Sequence, residues 1–161
     1  MTREEFYRLT ELFLDDIYRV ALNGCKNKYD AEDLTQEVFF KLLNCNKKFE
    51  SDDHVRHWLI RVAVNECNSF WRKPWKRKVT YLEDEADIPQ FSAQEDSDLY
   101  HAVMELPDKY RQIIYLFYYE EYSVRELAGI FRLSETAVKT RLKRGREKLK
   151  EQLREAWEYE E

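Results

Sequence analysis

Apolar side chains recur at steps of three and four residues near the start of the chain, which is the spacing of one helix face. They are Phe6, Leu9, Phe13, Ile17 and Val20. The polar stretch NGCKNKYD interrupts this pattern, and Gly24 within it is expected to cap the C-terminus of the helix. The spacing therefore predicts a long first helix that ends near Gly24.

Two further stripes with helical spacing follow. Asp30 is expected to cap a second helix, whose apolar stripe is Ala31, Leu34, Val38 and Leu42. A polar loop, NCNKKFESDD, then leads to a third helix that Asp52 or Asp53 is expected to cap. Its apolar face is Val55, Leu59, Val62 or Ala63, and Phe70. This part of the chain is therefore predicted to be helical throughout.

The second half of the chain contains a helix-turn-helix pattern. Pro107 can open a strongly apolar helix at its first turn, with Ile113, Ile114, Leu116 and Phe117 expected in the core. Ser123 and Glu126 form the S-x-x-E pattern of a capping box, which predicts a short helix through Phe131. Ser134 is expected to cap a last helix whose apolar face is Val138, Leu142 and Leu149.

Composition narrows the fold class to all-α. Of the 161 residues, 43% are hydrophobic, which is enough for a core, while 3 Gly and 3 Pro supply very few turn residues. An all-β sandwich or barrel needs turn signals every ~8–12 residues, and glycine phosphate loops are missing, so both an all-β fold and a parallel α/β fold are excluded. The three cysteines, Cys25, Cys45 and Cys67, lack CxxC spacing and are interpreted as buried thiols in a reducing compartment.

Charge is distributed in blocks that divide the chain. The net charge of -5, taken alone, argues against binding to nucleic acid. It is an average, however, of five basic residues in 72–78 and seven in 139–150 against seven acidic residues in 83–98. The acidic block has few apolar residues and is interpreted as a flexible linker. The predicted organisation is a helical module at 1–80, an acidic linker at 81–98, a helix-turn-helix module at 99–155 and an acidic tail at 156–161.

The start of the chain and its hydropathy indicate a cytoplasmic protein. Charged residues begin at Arg3, unlike the start of a signal peptide. No apolar run approaches the ~20 residues that span a bilayer, so no membrane insertion is expected. No cofactor is indicated either. A metal hydrolase using Asp53, His54 and His57 would need a third strong ligand and a base, neither of which is evident.

The last predicted helix has the residue types of a major-groove reader. Lys139, Thr140, Lys143 and Arg144 lie away from its apolar face, and Lys or Arg can donate to guanine acceptors in the groove. Four other basic side chains could contact phosphates, which adds affinity without sequence information: Arg141, Arg146, Lys148 and Lys150. Arg132 lies at a turn position where a positive φ is expected, and such a position favours glycine. The alternative is a solvated cationic helix in a bundle.

Aromatic and basic residues alternate between 54 and 78, a mixture that suits unpaired nucleic acid. They include Trp58, Arg61, Phe70, Trp71, Arg72 and Trp75, with Asn65 and Asn68 as amides that can read base edges. The alternative places Trp58 and Phe70 in the core and lets the basic cluster complement the C-terminal end of the helix.

The second helix carries a candidate protein-docking face. Asp33, Gln36 and Glu37 share one side, and Phe39, Phe40 and Leu43 are candidates for exposed apolar neighbours. A polar face with apolar neighbours is typical of a surface that another helix docks on. The alternative is a solvated acidic face.

In order along the chain, these motifs resemble a known family. They are D-x-x-D-L-x-Q-E-x-F at 30–39, W-L-x-R-x-A-x-N at 58–65, L-P-x-x-Y-R at 106–111 and R-x-R-x-K-L at 144–149. Together they resemble the bacterial sigma factors of the extracytoplasmic-function group, which consist of regions 2 and 4. The resemblance covers nearly the whole chain and implies a subunit, not an enzyme, that directs core RNA polymerase to −10 and −35 promoter elements.

The resemblance also implies roles for individual residues. Binding of the β′ clamp helices of core polymerase is implied for Asp33, Leu34, Gln36, Glu37, Phe39 and Leu43. The loop Asn46 to Asp53 resembles the one that captures a flipped −10 base, and −10 contacts are implied for Asn46, Lys48, Phe49, Arg56, Arg61, Asn65, Asn68, Arg72 and Lys73. Contacts to −35 DNA are implied for Ser134, Glu135, Thr136, Lys139, Thr140, Lys143, Arg144 and Arg146.

Further partners follow from the same resemblance. The β flap of polymerase is expected to hold region 4, the linker to enter the polymerase channels, and an anti-sigma factor to regulate the protein. Arg132 and Ala137 depart from the family pattern. The alternative function is a stand-alone helix-turn-helix regulator, in which 1–80 would sense a signal or dimerise and the protein would bind palindromic half-sites without polymerase.

Overall fold

The computed structural model describes residues 1–72 and 97–160, with side chains in the second range described for 98–155. Within these residues the chain forms seven helices and no strand, so the all-α prediction is confirmed. The chain divides into two compact units, Met1–Ile88 and Pro89–Glu161. The predicted acidic linker at 81–98 and the basic residues from Lys73 to Lys78 lie almost entirely outside the described residues.

The N-terminal unit is a bundle of three helices, each in contact with the other two: α1 (Arg3–Cys25), α2 (Lys28–Leu43) and α3 (Asp52–Arg72). The predicted apolar faces form its core, although Phe6 and Val62 are only half-buried. Cys25 and Cys67 are buried as expected, whereas Cys45 is half-buried and its sulfur accepts from the Lys47 amide at 3.3 Å. None of the three cysteines forms a disulfide.

Three predicted helix caps in the N-terminal unit are wrong. Gly24 lies inside α1, and Lys26 ends that helix in the left-handed conformation with φ 62°. Asn27, not Asp30, caps α2, because its side-chain oxygen accepts from the amides of residues 29 and 30. Ser51 caps α3 by accepting from the His54 amide at 3.1 Å, so Asp52 and Asp53 lie in the first turn.

Gly24 is needed where α1 meets α3. A Cβ atom at this position would lie 2.3 Å from the sulfur of Cys67 and 3.0 Å from its Cβ, far inside contact distance. The carbonyl of Gly24 also accepts a hydrogen bond from the indole Nε1 of Trp71 at 2.6 Å. Glycine is therefore needed here for the close approach of two helices, and it does not end α1.

The C-terminal unit consists of α4 (Ser97–Glu105), α5 (Asp108–Tyr118), α6 (Val124–Phe131) and α7 (Glu135–Glu160). Pro107 precedes α5, and the Ser123–Glu126 capping box of α6 is confirmed. Helix α4 was not predicted, although it buries Tyr100, Val103 and Met104. Helix α7 runs to Glu160, through most of the predicted acidic tail.

The helix-turn-helix is confirmed as α6, a three-residue turn and α7. Arg132 occupies the turn with φ 55°, and the amide of Leu133 donates to the carbonyl of Ala128 at 3.0 Å. Ser134 accepts from the amide of Ala137 at 3.0 Å and so caps α7 as predicted. Ile130 of α6 and Val138 of α7 are both buried, and the two helices are in contact.

Candidate nucleic-acid and protein interfaces

The loop between α2 and α3 is held against the first two turns of α3. The ring of Phe49 packs edge-to-face on His54, with centroids 5.2 Å apart, and on Trp58 at 5.7 Å. The amide of Glu50 donates to Nδ1 of His54 at 3.1 Å. The loop is therefore ordered by aromatic packing and a backbone hydrogen bond, with Phe49 half-buried at its centre.

The same loop is tied to the start of α1. The guanidinium of Arg8 donates to both carboxylate oxygens of Asp52, at 2.9 and 3.0 Å. This hydrogen bond holds the pKa of Asp52 below its ordinary value and raises the pKa of Arg8. A cavity of about 450 Å³ lies between the two segments and is lined by Met1, Glu5, Leu9, Val55 and residues 47–52.

Helix α3 presents an outward stripe that begins beneath this loop. Trp58, Arg61, Asn65, Asn68 and Arg72 follow one another at steps of three or four and lie on one face. Trp58 is half-buried against Phe49, and the other four are exposed. The stripe thus combines an aromatic surface, two amides and two guanidinium groups, which can stack on bases, read their edges and meet phosphates.

Other residues predicted for this surface lie elsewhere. Phe70 is buried, which confirms the alternative that it belongs to the core, and its ring packs edge-to-face on Trp71. Arg56 is half-buried and forms an ion pair with Asp16 at 3.0 Å. Asn46 and Lys48 are exposed on the loop, and the unpredicted Lys47 lies with its Nζ 6.0 Å from the centre of the Phe49 ring. Lys73 is outside the described residues.

Helix α2 has an exposed face that differs from the predicted one in its apolar members. Asp33, Gln36, Glu37 and Leu43 are exposed, with Leu43 at 51%. Leu34 and Phe39 are buried at 7% and 5%, so the expectation that Phe39 is exposed was wrong. Phe39 lies four residues after Thr35 and three before Leu42, both buried, which places it on the core side.

Phe40 is the exposed aromatic residue of α2. It is 60% exposed and follows Gln36 and Glu37 by four and three residues, so it shares their face. Tyr29, four residues before Asp33, is 68% exposed on the same side. The face therefore carries apolar side chains at both ends, Tyr29 and then Phe40 with Leu43, and polar side chains between them, a mixture that suits a helix-docking surface.

Helix α7 exposes most of its basic residues, although Arg141 is half-buried. It buries Val138, Leu142, Gly145 and Leu149 on one side. All eight residues predicted to contact −35 DNA are exposed: Ser134, Glu135, Thr136, Lys139, Thr140, Lys143, Arg144 and Arg146. Glu147 and Glu151 are also exposed and follow Lys143 on the outward face, where their charge would repel phosphates. The surface suited to a groove is therefore limited to the N-terminal part of α7, as in other recognition helices.

The glycine of the segment Arg144–Gly145–Arg146 brings α7 close to α5. A Cβ atom on Gly145 would lie 2.8 Å from Cγ1 of Ile114, so only glycine fits without a shift. Arg146 donates from Nη1 to the hydroxyl of Tyr118 at 3.0 Å.

Burial raises the pKa of Tyr110, but hydrogen bonding and charge from Lys109 and Arg144 outweigh burial, so the pKa lies below its ordinary value.

The described residues offer neither a grouped metal-ligand set nor a membrane-spanning helix. Among residues 1–72 and 97–155, no three His, Cys, Asp or Glu side chains are grouped to hold a metal ion, and His54 is engaged with the loop. No helix in the described part of the chain is long and apolar enough to cross a membrane.

Two family models match the chain in the order of its units: Sigma-70 region 2 over residues 9–77, and Sigma-70 region 4 over residues 96–149. The extracytoplasmic-function (ECF) RNA polymerase sigma factor SigM of Bacillus subtilis is 33% identical over 160 aligned positions, covering 93% of this chain and 94% of that protein. ECF sigma factor SigW of the same organism is 30% identical, covering 95% and 91%.

Two solved structures share the fold. The sigma factor RpoE of Bartonella quintana, solved with the anti-sigma factor NepR, has a TM-score of 0.74 at 23% identity, with 94% of this chain and 98% of that chain covered. CnrH, solved with the cytosolic domain of CnrY, has a TM-score of 0.67 at 21% identity, with 94% and 89% covered. With both family models and relatives of nearly full length in agreement, the chain belongs to the ECF group of RNA polymerase sigma factors, the subunits that give transcription initiation its promoter specificity.

Proposed function

We propose that this chain binds core RNA polymerase through α2, opens the −10 element with α3 and its preceding loop, and reads the −35 element with α7. The observation that carries the proposal is the aromatic, amide and arginine stripe of α3 beside the Phe49 loop. A stand-alone duplex-binding regulator has no need of a surface for unpaired bases, whereas a subunit that opens promoters does.

The α2 face is proposed to dock on the β′ clamp helices. Phe40 and Leu43 would supply the buried apolar anchors, and Asp33, Gln36 and Glu37 would supply the polar rim. Leu34 and Phe39 are buried, so their part in this interface is to hold α2 in place from the core. The β flap is proposed to hold region 4 in the same complex.

The −10 element is proposed to be captured in the melted state. Extruding a base from the duplex costs a few kcal/mol of stacking and pairing, which a preformed pocket must repay. The loop around Phe49 is suited to this task because Asp52, His54 and Trp58 already hold it in place. The unpaired strand would then continue along Arg61, Asn65, Asn68 and Arg72. Arg56 would act through its ion pair with Asp16.

The −35 element is proposed to lie against the N-terminal part of α7. Thr136, Lys139, Thr140, Lys143 and Arg144 would face the groove, since the buried side of α7 faces α5 and α6. The amides at the start of the helix, with Ser134 and Glu135, would meet the backbone at the edge of the groove. Glu147 and Glu151 would mark where the helix leaves the DNA.

Neither surface has to bind DNA tightly by itself. Tethering both to polymerase makes the second contact effectively intramolecular, which raises its local concentration. The polymerase would supply all bond-forming chemistry, and the protein would act in the cytoplasm with it. The acidic linker is proposed to occupy polymerase channels that are built for RNA.

Regulation by an anti-sigma factor is also proposed. Its support is that RpoE of Bartonella quintana and CnrH were each solved with such a partner or a partner's cytosolic domain, on the same fold. An anti-sigma factor that covers the α2 face would prevent binding of polymerase, because the two would compete for Phe40 and Leu43.

The test is promoter-specific transcription by the reconstituted holoenzyme on a genomic library, with footprints at −10 and −35. In the same assay Glu37→Lys is expected to reduce core binding at least tenfold, because it reverses one charge of the docking rim, while circular dichroism stays unchanged. Glu11→Lys makes the same charge change on the exposed side of α1 and serves as the control. Intact core affinity in Glu37→Lys would remove the docking assignment, and a polymerase-independent palindromic footprint would overturn the whole proposal.

A further inference from the structure

Tyr118 is half-exposed at the C-terminal end of α5 and holds a residue of α7. Its hydroxyl accepts a hydrogen bond from Nη1 of Arg146 at 3.0 Å. The two residues lie 28 positions apart in sequence, so this contact is made by the fold of the C-terminal unit and not by one helix. Nothing in the family motifs of the sequence singles out Tyr118.

Arg146 belongs to a stripe of positive charge. Lys139, Lys143, Arg146 and Lys150 follow one another at steps of four, three and four, and all four are exposed. This stripe lies beside the outward face of α7 and contains no carboxylate, whereas Glu147 and Glu151 interrupt the outward face itself. Four cations in one row suit a row of backbone phosphates.

The hydrogen bond leaves both partners able to bind a further anion. A guanidinium has five N–H donors in a fixed fork, so one donated to Tyr118 leaves the others for a phosphate. The phenolic O–H of Tyr118 accepts from Arg146 and still has its own proton to donate. Holding the guanidinium beforehand also removes part of the rotamer entropy that a long side chain loses on binding.

The geometry points to Tyr118 as a positioning residue that holds Arg146 against a backbone phosphate of the −35 duplex, so that this pair adds affinity without reading a base. The inference rests on the proposed function of α7 and deepens it. Gly145 supports it, because its contact with Ile114 brings the backbone of α7 close enough to α5 for Arg146 to reach Tyr118.

The test uses the reconstituted holoenzyme on a −35-dependent promoter fragment and measures affinity as a function of KCl concentration. Arg146→Ala is expected to lower the magnitude of the salt slope by about 1, the signature of one lost phosphate contact. Tyr118→Phe removes only the hydroxyl and is expected to weaken binding about threefold to tenfold. For each variant, the loss of affinity should be the same on promoters with altered −35 bases as on the original promoter.

The double variant separates positioning from a general structural role. Tyr118→Phe should cause no further loss in the Arg146→Ala background, and Tyr119→Phe, whose ring stacks on Tyr115, serves as the neighbouring control. Unchanged affinity in Tyr118→Phe, additive losses, or a changed preference among −35 bases would each overturn the inference. If the wild-type holoenzyme shows no −35 dependence at all, the proposed function of α7 fails first, and that result is recognised before any variant is made.

Discussion

The exposed stripes of α3 and α7 differ in chemistry although each lies along one side of a single helix. The α3 stripe begins with an aromatic residue and combines two amides with two guanidinium groups, from Trp58 to Arg72, whereas the basic stripe of α7 has only lysine and arginine from Lys139 to Lys150. An aromatic ring can stack on a base only when that base has left the duplex stack, while lysines follow the phosphates of an intact duplex. This difference is the reason why α3, and not α7, is proposed to bind opened DNA.

The support behind the two faces is similar. In each unit the outward-facing helix meets its partner at a glycine: Gly24 of α1 contacts Cys67 of α3, and Gly145 of α7 contacts Ile114 of α5. In the N-terminal unit the glycine lies on the supporting helix, and in the C-terminal unit it lies on the outward-facing helix itself. Close packing of the helices is therefore common to both units, while the exposed chemistry differs.

The largest expected effect tests this packing. Gly24→Ala would bring a methyl group against both the sulfur and the Cβ of Cys67, so the helices must separate, and we expect a loss of about 3 kcal/mol in the free energy of unfolding. Gly145→Ala would place its methyl group 2.8 Å from Cγ1 of Ile114, a smaller overlap than at Gly24, and should lose about 1 kcal/mol. Urea denaturation of the full chain measures both.

A matched control is available in α6. Gly129 has open space around the position of its missing Cβ, so Gly129→Ala should stabilise the chain by about 1 kcal/mol through helix propensity alone. Equal stability losses in Gly24→Ala and Gly145→Ala would show that the two helix contacts are equally demanding, contrary to the distances.

A second experiment separates opened from duplex DNA. Phe49→Ala removes the ring that packs on His54 and Trp58 and should weaken open-complex formation by about 2 kcal/mol, the scale of one base–aromatic stack. Arg144→Ala should instead reduce −35 dependence while polymerase binding stays normal. Permanganate footprinting of thymines reports strand opening in both variants. Full strand opening of the promoter by the Phe49→Ala holoenzyme would contradict the proposed role of the loop in opening the −10 element.

The charge difference between the faces predicts a difference in salt dependence. Lys143→Ala should lower affinity for the −35 duplex by about 1 kcal/mol and reduce the magnitude of the salt slope by about 1. Asn65→Ala removes a neutral amide, so it should weaken binding of a single-stranded −10 oligonucleotide in the holoenzyme and leave the slope unchanged. A reduced slope in Asn65→Ala would contradict the assignment of α3 to base contacts.

The smallest expected effect is on the pH dependence of folding. Arg8 holds the pKa of Asp52 below its ordinary value, so the pair stabilises the fold above that value and its contribution is lost as the pH falls through the lowered pKa. The thermal midpoint should fall more steeply in the wild type than in Asp52→Asn over this acidic range. Parallel pH profiles would mean that the pair contributes nothing to folding.

Much of the fold follows from hydrophobic spacing because burial in a helix bundle repeats every three to four residues. The helix faces are predicted this way, and the S-x-x-E pattern of the capping box at Ser123 adds the start of the helix-turn-helix. Helix caps are harder, since Asn27, Asp30, Ser51 and Asp52 have equally suitable side chains. Backbone geometry selects among such neighbours, and sequence patterns do not carry that geometry.

The candidate sites were predictable where they depend on charge and were missed where they depend on packing. The exposed basic side chains of α7 could be predicted from the sequence, because they lie away from its apolar face. The choice between Phe39 and Phe40 depends on a rotation of one residue about the α2 axis, and both positions are apolar. The contacts of His54 with the loop and of Tyr118 with Arg146 join separate segments, so no local pattern signals them.

The left-handed residues at the helix ends have a consequence for engineering. None of the three glycines has a positive φ, and in the described part of the chain the left-handed positions hold Lys26, Glu121 and Arg132 instead, each with a strain of about 1 kcal/mol. Lys26 and Arg132 recover part of this strain because a cation at a helix C-terminus is favourable. Glu121 follows α5 with the opposite charge. Glu121→Gly is therefore the substitution through which thermal tolerance could be raised without touching any proposed DNA or polymerase contact.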